Sequence, residues 1–242
     1  MAGRHPEHRV RWPAMRQAWR DVVFVHHAYP PDDVAARLPE GFAVDTHDGT
    51  AWVGLSAFQV AACGVGPLPP LPLWSFPETN LRTYVVGPDG TDGIWFLTIE
   101  AQTYPVTVGA RLAFGVPYHH GTLAVDRDGD QVRYHGRRDG SDVGYDLRIR
   151  IGEPTTDAGR TGLVDWCTGR WRAWTTQLGL ALRSPVAHQP WPLHDADLLD
   201  VDESLTIAAG LPPPAGDPLV HYAPGVDAHL AAPRPTLRPP GR

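Results

Sequence analysis

The segment Phe76–Val85 (FPETNLRTYV) places a carboxyl, an amide, a guanidinium and a phenol at every second position, at Glu78, Asn80, Arg82 and Tyr84. If Thr79 onward is a strand, the period-two alternation of side chains puts these four on one face and Leu81, Thr83 and Val85 on the other. Four groups able to hold an anion and exchange protons would then project together. That face points either to solvent, where Glu, Asn and Arg are ordinary, or into a cavity. Periodicity leaves both open.

A second candidate segment is Tyr104–Gly121 (YPVTVGARLAFGVPYHHG). Val106 to Phe114 fits a helix or a strand. Gly109 and Gly115 allow close backbone approach, and Pro117 stiffens the exit that presents Tyr118, His119 and His120. Adjacent residues of an extended segment point in opposite directions. Neither His119–His120 nor His26–His27 therefore converges on one ion, and no metal is expected. The third segment is HQPWPLH, a proline-fixed loop from His188 to His194. Histidines held this way are more often hydrogen-bonded structural groups than catalysts. No GxSxG nucleophile elbow and no GxGxxG after a strand occurs.

The basic residues narrow the chemistry further: all 21 are arginine, and the chain has no lysine. This excludes Schiff-base catalysis by a lysine and a P-loop with its phosphate-binding lysine. The net charge is −6, with arginines scattered among acids, so no nucleic-acid partner is expected. Cys63 and Cys167 show no metal-site or disulfide-framework spacing. The polar N-terminus and the absence of any apolar run of membrane-spanning length lead to an expectation of a soluble, cytoplasmic protein.

The elements that must position these residues are mostly strands. Trp19–Tyr29, Ala51–Ala62, Thr79–Val86, Gly93–Gln102, Leu123–Asp126, Gln131–Arg138 and Val143–Ile151 carry strand composition, with turn signals between them. Pro218–Tyr222 and Val226–Leu230 suggest a closing hairpin. DDVAARL after Pro30–Pro31 suits a short helix, and Leu163–Trp174 has helical spacing despite Gly169. The proline-rich loop GVGPLPPLPLWSFP is either a lid or a cover for an open barrel end. One domain over residues 10–232 is expected, mostly β (α+β) as a barrel or sandwich with helices laid against it, between disordered tails at 1–9 and 233–242.

FPETNLRTYV, GARLAFGVPYHH and HQPW, preceded by WRDVVFVHH and LPEGFAVDTHDGTAWVGLSAF, resemble the DUF2071 or YqjF-like family from about Arg16 to Ala232. That family is similar in turn to acetoacetate decarboxylase. The resemblance implies an antiparallel β-cone or barrel around a central cavity with a few peripheral helices. It also implies a site: Glu78 matches the family's glutamate, Gly109, Arg111, Gly115 and Pro117 its frame, and Tyr118 and His119 stand where two lysines would be.

Because the imine-forming amine is missing, a Schiff-base decarboxylase cannot be carried over. The remaining cavity implies Arg82 or Arg111 holding a carboxylate, with Asn80 and His188 as further ligand contacts. Glu78 is the acid or base, and Tyr118 or His119 the proton donor or oxyanion partner. The expected ligand is a small carbonyl or carboxylate compound, with no cofactor, and a homo-oligomer is left open. The function is then a lysine-independent lyase, dehydratase or isomerase, or a barrel that binds without turnover. A third alternative is a structural barrel filled by side chains such as Trp52, Trp95 and Phe96.

Overall fold

The run WRDVVFVHHAY lies in a 15-residue strand, β1 (Met15–Tyr29), in which Val22, Val23, Phe24 and Val25 are all buried. A strand buried on both faces must lie between two layers. The computed structural model describes residues 2–66, 68–104 and 115–236. The next strands are β2 (Ala43–Val44), β3 (Ala51–Val65), β4 (Phe76–Val86), β5 (Asp92–Ala101), β6 (Tyr118–Asp128), β7 (Gln131–Arg138) and β8 (Gly144–Pro154). They are followed by β9 (Arg172–Gln177), β10 (Leu180–Ala187), β11 (His194–Glu203), β12 (Leu219–Leu230) and β13 (Arg234–Pro235). The helices are short: α1 (Pro31–Ala35), α2 (Gly162–Thr168) and α3 (Leu205–Ala208). None of the described helices is long and apolar enough to cross a membrane.

Strand pairing closes the sheet on itself. Nine strands, in the order β5-β6-β7-β8-β11-β12-β1-β3-β4, return to β5 through the β4–β5 pair. Strands β5 and β12 each pair with two further partners along their second edge: β5 with β6 and then β9, β12 with β11 and then β10. The β9–β10 hairpin therefore closes a second ring over β12, β1, β3, β4 and β5. The five shared strands form a common wall with a ring on each side.

The two faces of that wall carry two cores. Val23, Val25, Leu55 and Leu81 pack with Leu123, Tyr134, Leu147 and Ile149 inside the nine-strand barrel. The alternate residues Val22, Phe24, Phe58 and Phe76 pack with Val164 of α2 and with Trp191 and Leu193 in the second ring. Alternation along β1, β3 and β4 thus sends successive side chains to different cores.

Several boundaries differ from the sequence expectation. Residues 219–230 form the continuous strand β12 rather than a hairpin. Pro224–Gly225 sits opposite an irregularity of β1, where Asp21 has φ 48°, and Gly225 (φ 147°) lets the two backbones pass. A Cβ on Gly225 would lie 2.2 Å from the Trp19 carbonyl oxygen. The helix expected over Leu163–Trp174 stops at Thr168, and the chain re-enters the sheet at Arg172. Gly169 leaves helical geometry (φ −94°, ψ 67°) at its C-cap, and only a glycine fits there because a Cβ would meet the Gly3 carbonyl oxygen at 2.1 Å. The N-terminal segment, which offers nothing to bury, is nonetheless tied down. Gly3 donates to and accepts from the fold, Arg4 pairs with Asp157, and Glu7 pairs with Arg172. At the other end Arg234–Pro235 pairs with β10.

Candidate functional site

The wall of the second ring is a register grid. His26 stands opposite Gly54, and Gly54 opposite Arg82. In the next row Phe24 faces Ser56 and Ser56 faces Asn80. One row further, Phe58 faces Glu78. Glu78, Asn80, Arg82, Phe24 and His26 stand around a floor that is low at Ser56, whereas above Gly54 the His26 ring fills the space, its Cδ2 2.7 Å from where a Cβ would lie. All of these lie on the face that the sequence left undecided, and they are buried inside the protein. Small residual exposures of Glu78 (7%), Arg82 (8%), His188 (8%) and His221 (5%) show that this face is not fully packed.

Glu78 accepts a hydrogen bond from the Tyr118 hydroxyl at 3.1 Å. Burial raises its pKa to about 7, and the bond from Tyr118 opposes that shift. Burial likewise pushes the Tyr118 phenol well above its ordinary value, with the Glu78 carboxyl adding to the effect. Glu78 is thus poised to exist as acid and as base near neutrality, the condition for efficient proton transfer.

Four residues along the same strand, the Arg82 guanidinium lies over the Phe24 ring at 5.3 Å. Among the described residues no carboxylate pairs with it, Glu78 included, and its Nε is buried without a hydrogen-bond partner. Asn80 Oδ1, Ser56 Oγ, His26 Nδ1 and His221 Nδ1 are also buried and unpaired. Five of the eleven such atoms among the described residues lie on this one face, where a ligand or ordered water would satisfy them.

His26 is wholly buried, and its pKa is held well below the ordinary 6.5, chiefly by burial and then by the Arg82 charge. Its Nε2 lies 2.7 Å from the Tyr84 hydroxyl, which itself donates to the Cys167 carbonyl oxygen at 2.6 Å. Opposite, His188 donates from Nδ1 to the Gln189 carbonyl oxygen at 2.5 Å and packs between Trp171 (4.7 Å) and Trp191 (4.5 Å). Burial, reinforced by Arg82, lowers its pKa to about 4, so its ring is neutral. Trp191 also packs against Phe24 at 5.0 Å, giving the site one aromatic wall.

Helix α2 roofs the face and is anchored from below. Arg170, just beyond it, stacks on Trp166 (4.1 Å) and Tyr84 (4.7 Å). It donates to the Trp166 carbonyl oxygen at 2.9 Å and reaches Asp45 at 2.6 Å and Asp92 at 3.2 Å. A separate cleft of about 400 Å³, with Arg37, Trp95, Phe96, Pro117 and Trp174 in its wall, includes none of Glu78, Asn80, Arg82, Tyr118 or His26.

Of the residues singled out from sequence, Glu78, Asn80, Arg82, Tyr118 and His188 meet at this face. His119 does not join them. Tyr118 to Asp128 is a strand, so His119 alternates away from Tyr118 and stands beside Glu100 in register, toward the barrel interior. There Glu100 is gripped by Arg138 at 2.6 and 3.2 Å and by Thr98 at 2.8 Å. Arg111 and Gly109, with the rest of Val106–Phe114, lie outside the described residues. The sequence reading missed His26, Ser56 and His221. The signal for His26 was the alternation Phe24–His26 on β1, masked by treating His26–His27 only as a metal pair. Among the described residues no group of three or more His, Cys, Asp or Glu side chains is placed to hold a metal ion.

The comparisons with known proteins agree with this architecture. The model of the DUF2071 family, described as an uncharacterized conserved protein, matches residues 16–227. The uncharacterized protein YqjF of Bacillus subtilis (strain 168) is 33% identical over 212 residues, spanning 86% of this chain and 87% of that one. Among solved structures, acetoacetate decarboxylase from Legionella pneumophila superposes with a TM-score of 0.66 at 11% identity, covering 96% of this chain and 91% of that one. The enduracididine biosynthesis enzyme MppR, complexed with the condensation product of pyruvate and imidazole 4-carboxaldehyde, gives 0.63 at 12% identity, covering 92% and 89%. At such identities the likeness is one of fold.

Proposed function

We propose, from the premise that this chain belongs to the DUF2071 family and has the acetoacetate decarboxylase-like fold, that the second ring binds a small carboxylate bearing a carbonyl group and catalyses proton transfer on it without a covalent amine intermediate. The observation that carries this is Arg82: a buried guanidinium with no carboxylate partner among the described residues, on the same face as a buried carboxyl that it does not neutralise. A buried guanidinium without a carboxylate is unfavourable, and the contacts of Arg82 with the Phe24 ring and the Tyr84 hydroxyl leave its charge unneutralised. An anionic ligand supplies the missing partner through a bidentate guanidinium–carboxylate contact.

The rest of the face supports proton-transfer chemistry. Glu78 lies about 13 Å from Arg82 along the strand, four residues at roughly 3.3 Å each. A ligand held at Arg82 by its carboxylate and extending past Asn80 brings an acidic C–H toward Glu78. In this reading Asn80 donates from its Nδ2 to the developing enolate oxygen. Glu78 takes the proton as carboxylate and returns it as acid, and Tyr118 donates a hydrogen bond to the carboxylate form. With no lysine in the chain, imine chemistry through a lysine side chain is excluded. Pyruvate is a fitting first probe, since a protein of the same fold is complexed with a pyruvate-derived compound.

The test is hydrogen–deuterium exchange at the pyruvate methyl group, followed by NMR in D₂O with the full chain and its Glu78→Gln variant. The proposal expects exchange that rises with pH through a midpoint near 7 and is lost in the variant. Binding by calorimetry without exchange would leave a binding protein, the reading favoured by the orphaned polar atoms alone. Neither binding nor exchange would contradict both.

A further inference from the structure

Positive charge gathers at a second place, beside β10, where the N-terminal segment and β13 flank the sheet. A cleft of about 580 Å³ opens there between His8–Trp12 and strands β9, β10 and β13. Among the described residues its wall holds Arg9, Arg11, Arg172, Arg183 and Arg234 and no aspartate or glutamate. The chain as a whole carries a net charge of −6, so this clustering runs against its average.

The sheet forces three of these guanidinium groups together. Arg183 and Arg234 are direct cross-strand partners, and Arg172 stands opposite Pro185, two residues along β10 from Arg183. Period-two alternation therefore puts all three on one face, on adjacent strands about 4.8 Å apart. Like charges directly opposite one another weaken a strand pair. Arg172 is paired with Glu7 and Asp92, and Arg183 with Asp89 at 2.6 Å, which fixes where these two side chains point. Arg9, Arg11 and Arg234 have no carboxylate partner among the described residues. His8 adds no charge at neutral pH, because burial and then the charges of Arg172 and Arg183 lower its pKa, and its Nε2 lies in the wall without a hydrogen-bond partner.

Beside these charges stands Trp12, 89% exposed. A bare indole is a stacking platform for a planar ring, and guanidinium forks match phosphate oxygens. A single nucleotide presents both features, and the cleft has the volume of a small-molecule site. A longer nucleic-acid strand needs a continuous basic stripe, whereas Arg4, Arg20, Arg127 and Arg133 elsewhere on the surface are each paired with an aspartate.

We infer that this cleft is a nucleotide site, with the phosphates held by Arg9, Arg11, Arg183 and Arg234 and the base stacked on Trp12. It is separate from the carboxylate site at Arg82 and does not depend on it.

The experiment is calorimetric titration of the full chain with ADP, adenosine and pyrophosphate, repeated on an Arg9→Ala/Arg234→Ala double variant and on Trp12→Ala. All three side chains are exposed, so the variants are expected to fold, which circular dichroism checks. ADP should bind more tightly than either fragment and at least tenfold more weakly to the double variant. Trp12→Ala should weaken ADP and leave pyrophosphate unchanged, and Arg82→Met should bind ADP as the wild type does. Absence of ADP binding at millimolar concentration, or binding undiminished in the double variant, would overturn the site. Pyrophosphate bound as tightly as ADP, with Trp12→Ala without effect, would overturn the nucleotide assignment in favour of a plain anion site. Loss of ADP binding in Arg82→Met would put the nucleotide in the second ring and overturn the inference, and a single-stranded oligonucleotide bound more tightly than ADP would overturn the single-nucleotide reading.

Discussion

Glu78 and Arg82 share one buried face of one strand and make no ion pair with each other. Opposite charges that serve only to hold a fold are brought together, whereas these are kept apart by Asn80 with an unpaired polar atom at each of the latter two positions. The face is organised for something that lies between them.

The two buried arginines of this region should respond oppositely to substitution. Arg170 is fully buried and bonded to Asp45 and Asp92, so Arg170→Met leaves carboxylates without their partner and should cost about 3–5 kcal/mol. Arg82→Met removes an unpaired buried charge and should leave stability unchanged or raised, while abolishing carboxylate binding. Denaturant unfolding of the two variants side by side checks this.

Glu78 gives stability a slope with pH. Its pKa in the folded chain is about 7 against an ordinary 4.5, so the folded state holds a proton that the unfolded state releases between those values. This contribution is full below pH 4.5 and lost as pH rises through 7. Glu78→Gln should remove the slope and exceed the wild type above pH 7 by up to about 3 kcal/mol. A variant less stable than the wild type at pH 8 would contradict the burial account.

Tyr118→Phe deletes the hydrogen bond that holds the Glu78 pKa down. Carboxyl titration by isotope-edited NMR should show the Glu78 midpoint moving upward, and the pH midpoint of exchange moving with it. An unmoved midpoint would mean the bond is absent in solution.

Gly54→Ala tests the packing of His26. The new methyl group falls within 2.8 Å of a ring that is buried on every side, so the expected cost is about 1–3 kcal/mol by overpacking. The variant should also lose ligand affinity, since the His26 ring must shift. An affinity equal to wild type would show that His26 does not bound the site.

Much of this was legible in the chain and some was not. The alternation in FPETNLRTYV correctly grouped Glu78, Asn80, Arg82 and Tyr84, because strand geometry dictates it. Which way the face pointed was not, because a wall shared by two rings buries both faces and erases the polar-out signal. The β9–β10 hairpin went unseen because its turn is Leu178–Gly179, both at positive φ (49° and 75°), where Asn or Asp would have announced it. Strand β11 was hidden by its acids, which are poor strand formers but lie opposite the arginines of β8, Asp197 against Arg150 and Asp200 against Arg148. His119 was misplaced for a simpler reason: a strand that begins at Tyr118 sends only one of two neighbours to the site.

Carboxylate capture by Arg82 is read from the NMR resonance of its Nε–H group, assigned by its loss in Arg82→Gln, during titration of the full chain with pyruvate. A saturable shift of that resonance with a binding curve matching calorimetry is expected, because a buried Nε–H without a partner acquires a carboxylate acceptor. A resonance that stays fixed while pyruvate binds elsewhere, or while no binding is detected, would contradict it.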